Sequence, residues 1–178
     1  MIYVFLAPGF EEIEALATVD VLRRAGEQVV TVGVSEKIIK GSHNISVVAD
    51  TTIAEVRHTQ ADMLVLPGGM PGTLNLEACE PLKKMLAEAY RNEKWLAAIC
   101  AAPSVFGHMG FLQGRSATCY PGFEKDLLGA QYTAQRVCRD GHIVTANGAG
   151  SAIAFGLELV RVLQGDEVAS NLAAAMQC

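Results

Sequence analysis

The run Trp95-Leu-Ala-Ala-Ile-Cys100-Ala-Ala-Pro103-Ser-Val-Phe106 decides the fold. Its first five residues are apolar and read as a buried β-strand, while Pro103 is tolerated in the first turn of a helix that begins just after the cysteine. A strand passing directly into a helix is the repeating unit of an α/β sheet, and Cys100 stands at the corner. A sulfur there lies beside the unpaired N–H groups of the new helix, whose partial positive charge favours a thiolate. Cys100 thus reads as a nucleophile with its activation built in, and its thiol is expected to have a depressed pKa. A free cysteine also serves as a small buried apolar residue, and position alone does not separate the two roles.

The same alternation extends outward from this corner. Apolar runs bounded by glycine or proline fall at 2–6, 28–34, 62–66, 96–99 and 142–145, and helix-length segments at 12–25, 80–92 and 151–164, with Gly26 and Gly165 as stops. This order predicts a doubly wound, mostly parallel sheet with helices on both faces. Residues 37–48, alternating around Gly41-Ser42-His43-Asn44, predict a β-hairpin, and residues 116–137 read as short strands and loops. No linker, repeat or low-complexity tract divides the 178 residues, which are 51% hydrophobic, so a single domain over 1–178 is expected.

A net charge of -5 with no Lys/Arg cluster gives no footprint for nucleic acid. Met1-Ile-Tyr-Val-Phe-Leu6 lacks a basic leader and runs at once into Pro8-Gly9, which suits a first strand better than a signal peptide, and no apolar stretch is long enough to span a bilayer. A cytoplasmic protein without a membrane partner is expected. The five cysteines, at 79, 100, 119, 138 and 178, show no C-x-x-C or other metal-binding spacing, so neither a disulfide framework, a metal nor any cofactor is expected. Dispersed thiols suit a reducing compartment, with Cys178 exposed and idle.

Ligands of open α/β sheets gather beyond the carboxyl ends of the strands. Four loops should therefore share one edge: Ala7-Pro-Gly-Phe-Glu-Glu12, Pro67-Gly-Gly-Met-Pro-Gly72, the Cys100 elbow and Ala146-Asn-Gly-Ala-Gly150. The 67–72 loop offers bare backbone N–H groups to a developing oxyanion, but no Gly-Lys-Ser/Thr follows to make it a phosphate loop. In the 146–150 loop, the third glycine of a dinucleotide fingerprint falls on Ile153.

Glu11, Glu12 and Glu14 open the first helix, where carboxylates meet the dipole favourably. Helical spacing places Glu14 on the apolar face of Thr18, Val21, Leu22 and Ala25, with Glu11 nearly in line, whereas Glu12 aligns with Leu16, Val19 and Arg23. Spacing does not exclude Glu11, and Glu11 and Glu12 are expected to act as mild helix-cap residues. A carboxyl beside a thiolate is awkward if both ionise, so the pair is expected to share a proton, with cysteine charged and acid protonated and able to shuttle it. His43 and His58 fall near the hairpin, His108 two turns beyond Cys100 and His142 at the opposite sheet edge, so none is an obvious base for a cysteine protease.

The segments Ala7-Pro-Gly-Phe-Glu-Glu-Ile-Glu-Ala15, Val19-Asp-Val-Leu-Arg-Arg-Ala-Gly26, Leu64-Val-Leu-Pro-Gly-Gly69, Ala97-Ala-Ile-Cys-Ala-Ala-Pro103 and Thr145-Ala-Asn-Gly-Ala-Gly-Ser-Ala152, in this order, resemble the ThiJ/PfpI superfamily and its DJ-one-like branch. The resemblance runs nearly end to end and implies a flavodoxin-like fold. It implies Cys100 as elbow nucleophile, Glu14 as the protonated acid bonded to it, and the amides of Gly69 and Ala101 as an anion pocket. It further implies a glutathione-independent glyoxalase III or protein deglycase (a lyase or hydrolase) acting on dicarbonyls or their early adducts. The alternative it implies is a redox-sensing protein of oxidative stress, with chaperone-like behaviour, whose cysteine is oxidised to sulfinate. Members are typically homodimers. Ala101 replaces the histidine of proteolytic relatives, which argues against a protease. Tyr120, in Thr118-Cys-Tyr-Pro121, stands where many relatives have histidine and is expected only to orient the substrate. His43 replaces an anion-binding arginine, Arg24 is retained, and Ala149 replaces a proline.

Overall fold

Strand β1 (Ile2–Leu6) sends Ile2, Val4 and Leu6 into one half of the core and Tyr3 and Phe5 into the other, and all five are buried. A strand apolar on both faces belongs in the middle of a covered sheet, and β1 lies there. The computed structural model describes residues 1–56 and 61–178, and His58 lies outside them. Around β1 run β2 (Val29–Gly33), β5 (Thr51–Thr52), β6 (Met63–Leu66), β7 (Trp95–Ile99) and β11 (Ile143–Ala146), all parallel, with β10 (Val137–Asp140) antiparallel at one edge. The order is β10-β11-β7-β6-β1-β2-β5. This is the expected doubly wound α/β architecture.

Helices α1 (Glu12–Arg24), α5 (Ala152–Gln164) and α6 (Asp166–Ala175) cover one face. On the other face lie α2 (Gly72–Glu77), α3 (Glu80–Arg91) and α4 (Pro103–His108). Helix α1 starts where the Glu11 carboxylate accepts the Glu14 N–H at 2.7 Å, and it ends before Gly26, at φ 82°. The chain forms the expected hairpin from β3 (Ile38–Lys40) and β4 (Ser46–Val48), anchored by the fully buried Ile39. Within 116–137 lie the short strands β8 (Ser116–Ala117) and β9 (Gln131–Tyr132), paired with each other, and a 3-10 turn at Glu124–Asp126, before β10 begins at Val137. Gly165, at φ 93°, does stop α5, but the chain turns there and starts α6 with Asp166 and Glu167 in its first turn. All five cysteines are free, Cys119 and Cys138 buried and Cys178 exposed. Among the described residues, no helix is long and apolar enough to cross a membrane.

Because β1, β6, β7 and β11 are parallel, their carboxyl ends share one edge, and the three glycine-bearing loops and the Cys100 elbow meet there as expected. Hydrogen bonds lock the first two together: Glu11 N–H donates to Gly68 O at 2.9 Å and Gly72 N–H to Gly9 O at 3.1 Å.

Candidate active site

Cys100 adopts φ 66°, a left-handed conformation that costs a non-glycine residue on the order of 1 kcal/mol. Neighbouring strands and loops hold it there: its N–H donates to Ala146 O at 2.9 Å, and its carbonyl accepts the Tyr120 N–H at 2.8 Å. The tight corner turns the backbone N–H groups of Gly69 and Ala101 onto the sulfur. Gly69, at φ 91°, reaches this position because it has no Cβ.

Glu14, in the first turn of α1, is 1% exposed. Its Oε2 accepts the Gly68 N–H at 2.9 Å. Its Oε1 is buried without a partner of ordinary hydrogen-bond geometry, and the Cys100 thiol is the group beside the carboxyl that can supply one. Gly68 permits this meeting, since a Cβ there would lie 2.6 Å from Cys100 Cβ and 2.8 Å from Glu14 Oε2. Gly68 was not singled out by sequence, because a glycine in a Pro-Gly-Gly turn carries no mark of what approaches it.

Burial dominates the electrostatics. It raises the Glu14 carboxyl to about 7, against the hydrogen bonds from Cys100 and Gly68 that lower it. The Cys100 thiol is pushed up to about 12, first by burial and then by the charge and hydrogen bond of Glu14, despite the Ala101 and Gly69 amides. The expected depression of the thiol is therefore corrected: two N–H donors do not outweigh burial beside a carboxylate. The pair titrates as a unit. When it carries one negative charge, a single proton is shared between Sγ and Glu14, and the thiolate is the form in which Glu14 holds it.

Glu12 also departs from expectation. Only 4% exposed, it accepts the His43 N–H at 2.7 Å and the Ile45 N–H at 3.4 Å through Oε1, and meets Ser42 Oγ at 3.2 Å and His43 Nδ1 at 2.9 Å through Oε2. Burial opposes its charge, but the hydrogen bonds from His43 and Ile45 prevail and hold the carboxyl at about 2. Glu12 is thus the anchor of the hairpin loop on α1 rather than a mild cap. The same bonds raise the pKa of His43, chiefly through the Glu12 hydrogen bond.

These residues border one cleft of about 480 Å³, lined by Glu11, Glu12, Ile13, Glu14, His43, Ile45, Cys100, Tyr120 and Ala149. Gly69 and Ala101 serve its floor through the sulfur. Arg24 is not brought there: it pairs with Asp20 at 2.6 Å on the exposed last turn of α1, roughly 15 Å along the helix from Glu14. Ile13 and Ile45, apolar and about half exposed, belong to the cleft without having been foreseen, as exposed isoleucines are common surface residues. Among the described residues, only Glu11, Glu12 and His43 form a group of three whose metal-ligating atoms all lie within 4.8 Å of one another. The Glu12 oxygens are occupied by the hairpin and one Glu11 oxygen by the Glu14 N–H, so this is a hydrogen-bonded cluster rather than an open metal centre.

Residues 1–162 match the model of the DJ-1/PfpI family. The chain is 40% identical over 167 residues to Protein DJ-1 homolog B of Arabidopsis thaliana, an alignment that covers 92% of this chain and 38% of that protein. It thus spans well under half the length of that relative. It is 31% identical over 164 residues to the glutathione-independent glyoxalase DJR-1.2 of Caenorhabditis elegans, covering 91% of this chain and 87% of that one. Among solved structures it is similar to oxidized Toxoplasma gondii DJ-1, with a TM-score of 0.95 and 38% identity over 99% of this chain and 97% of the other.

Proposed function

The chain belongs to the DJ-1/PfpI family, and on that footing we propose that it is a cysteine-dependent enzyme acting on reactive dicarbonyls or their early adducts, as a glutathione-independent glyoxalase or deglycase. The observation that carries this reading is the buried pair at the cleft floor, where the unpartnered Glu14 Oε1 adjoins the Cys100 thiol. As an aldehyde enters, the thiol proton passes to Glu14 and Sγ bonds to the aldehyde carbon, whose carbonyl π pair moves onto oxygen. The Gly69 and Ala101 amides stand beside the sulfur to stabilise that charge. The alkoxide is protonated at the expense of the proton on Glu14, which, again ionised, carries the hydrogen of the former aldehyde carbon as a proton to the adjoining carbonyl carbon while the hydroxyl proton moves to the adjoining oxygen; the resulting thioester is cleaved by water to a 2-hydroxy acid and the thiol is restored. Dicarbonyl plus water thus becomes hydroxy acid, with no net oxidant. The name of the Caenorhabditis elegans relative supports this chemistry.

The test is conversion of methylglyoxal to lactate by the purified protein without glutathione. Cys100→Ala should nearly abolish it, because removal of the nucleophile leaves only binding. An undiminished rate in that variant would refute the assignment.

A second reading has its own support: two N–H donors and a protonatable carboxyl around one sulfur also suit a sulfinate, and a similar structure is described as oxidized. On this reading the protein is a redox-responsive stress protein or chaperone, and mass spectrometry after mild peroxide treatment should find Cys100 at the sulfinate level with turnover absent. For either role we place the protein in the reducing cytoplasm as a homodimer. Exposed Ile13, Leu16, Ile45 and Val48 on α1 and the hairpin provide apolar surface for a second copy.

A further inference from the structure

Among the described residues lining the cleft, His43 is the only imidazole. His108 is held between Glu77 at 2.6 Å and Asp126 at 3.4 Å, and His142 lies at the far edge, where its carbonyl accepts the Leu96 N–H. The Glu12 carboxylate grips both the backbone N–H of His43 and Nδ1 of its ring, so the ring cannot swing away without giving up a bond to a buried acid. Nε2 has no partner among the described residues, and the side chain is 69% exposed. A carboxylate that fixes an imidazole through one nitrogen and leaves the other free in a cleft that also holds a thiol is the arrangement of a proton donor or acceptor.

We propose that His43, held by Glu12 at the mouth of the cleft, is a catalytic acid whose Nε2 gives a proton to the oxygen of the carbonyl that Cys100 attacks. This deepens the dicarbonyl reading and rests on it. In the step, the Sγ–C bond forms, the C=O π pair goes to oxygen, that oxygen takes the His43 proton, and the sulfur proton held on Glu14 then returns to the imidazole, which leaves Glu14 ionised for the hydrogen transfer. The groups facing His43 are Glu12, Glu11 at 3.8 Å and the Ser42 hydroxyl at 3.1 Å, with Glu14 and Cys100 on the wall of the same cleft. Two adjacent carboxylates favour the imidazolium, in keeping with the raised pKa. The acid form therefore persists to higher pH than in a free imidazole and is lost as pH rises through that raised value.

The experiment measures kcat/KM for methylglyoxal from about pH 5 to 9 in the wild type, His43→Gln and Cys100→Ala, together with the rate at which iodoacetamide alkylates Cys100. The wild-type profile should fall on its alkaline side. His43→Gln should lower the maximum about 100-fold and lose that falling limb, with alkylation unchanged. A falling limb that survives in His43→Gln, or alkylation that drops in parallel with turnover, overturns the proposal and leaves the Cys100 enzyme standing. A wild type without turnover, or a Cys100→Ala variant that retains it, overturns the dicarbonyl reading and the role of His43 with it.

Discussion

Three parts of the site meet at the bare Cα of Gly68: a Cβ there would press on Cys100 Cβ, Glu14 Oε2 and the Ile99 carbonyl, the latter two at 2.8 Å. Two of these neighbours are a backbone atom and the Cβ of a strained elbow residue, which cannot rotate aside. Gly68→Ala is therefore expected to displace the thiol from Glu14 and cost about 100-fold in kcat/KM, the scale set by small misplacements of reacting groups. Circular dichroism should show that the fold survives, and a variant within twofold of wild type would show that the close approach is immaterial. At this scale the choice of Glu14 over Glu11, and of Gly69, rested on the family resemblance, and only the Cys100 corner was legible from periodicity, because an elbow leaves a pattern in one dimension. Gly68 and the anchoring role of Glu12 were not, since both depend on partners distant in sequence: Glu12 meets a hairpin 31 residues on.

The elements pack as closely as the site does. Helix α1 crosses α5 at Gly156, where a Cβ would lie 2.9 Å from the Cβ of Val21 and 3.0 Å from its Cγ1. Alanine is worth about 1 kcal/mol over glycine inside a helix, while overpacking a dense core costs roughly 1–3 kcal/mol. The second effect should win, leaving Gly156→Ala less stable by about 1 kcal/mol and lowering Tm by roughly 2–4 °C. Thermal unfolding measures this directly, and a raised Tm would mean that the two helices separate without penalty. The longest helices were readable because apolar spacing repeats over several turns. Six-residue α2 is too short to show a period, and β5 has two residues. Edge strand β10 carries the exposed Arg139 on its solvent side, and α6 hides behind a glycine that serves both as stop and as corner.

Across the whole molecule, the two buried glutamates pull stability in opposite directions with pH. Glu14 rises from 4.5 to about 7, so between those values the folded state keeps a proton that the unfolded chain has lost, and stability falls as pH climbs through the window. At higher pH the penalty is about 3 kcal/mol. Glu12 falls from 4.5 to about 2, so its contribution is complete above 4.5 and is lost as pH drops toward 2. Denaturant unfolding above pH 7 should find Glu14→Gln more stable than the wild type and Glu12→Gln less stable; shifts of the same sign would contradict this account. The sequence by itself determined the α/β class and the loops that share one sheet edge, and it singled out Cys100 at the strand-to-helix corner, because these follow from periodicity and from local turn chemistry. Tertiary structure alone decided the protonation of the site. Burial of Cys100 beside Glu14 raised a thiol that its elbow position favours as a thiolate, and the fold of the hairpin onto Glu12 brought His43 to the same cleft. Desolvation and long-range hydrogen bonds depend on which residues meet in space, and no spacing along the chain encodes them.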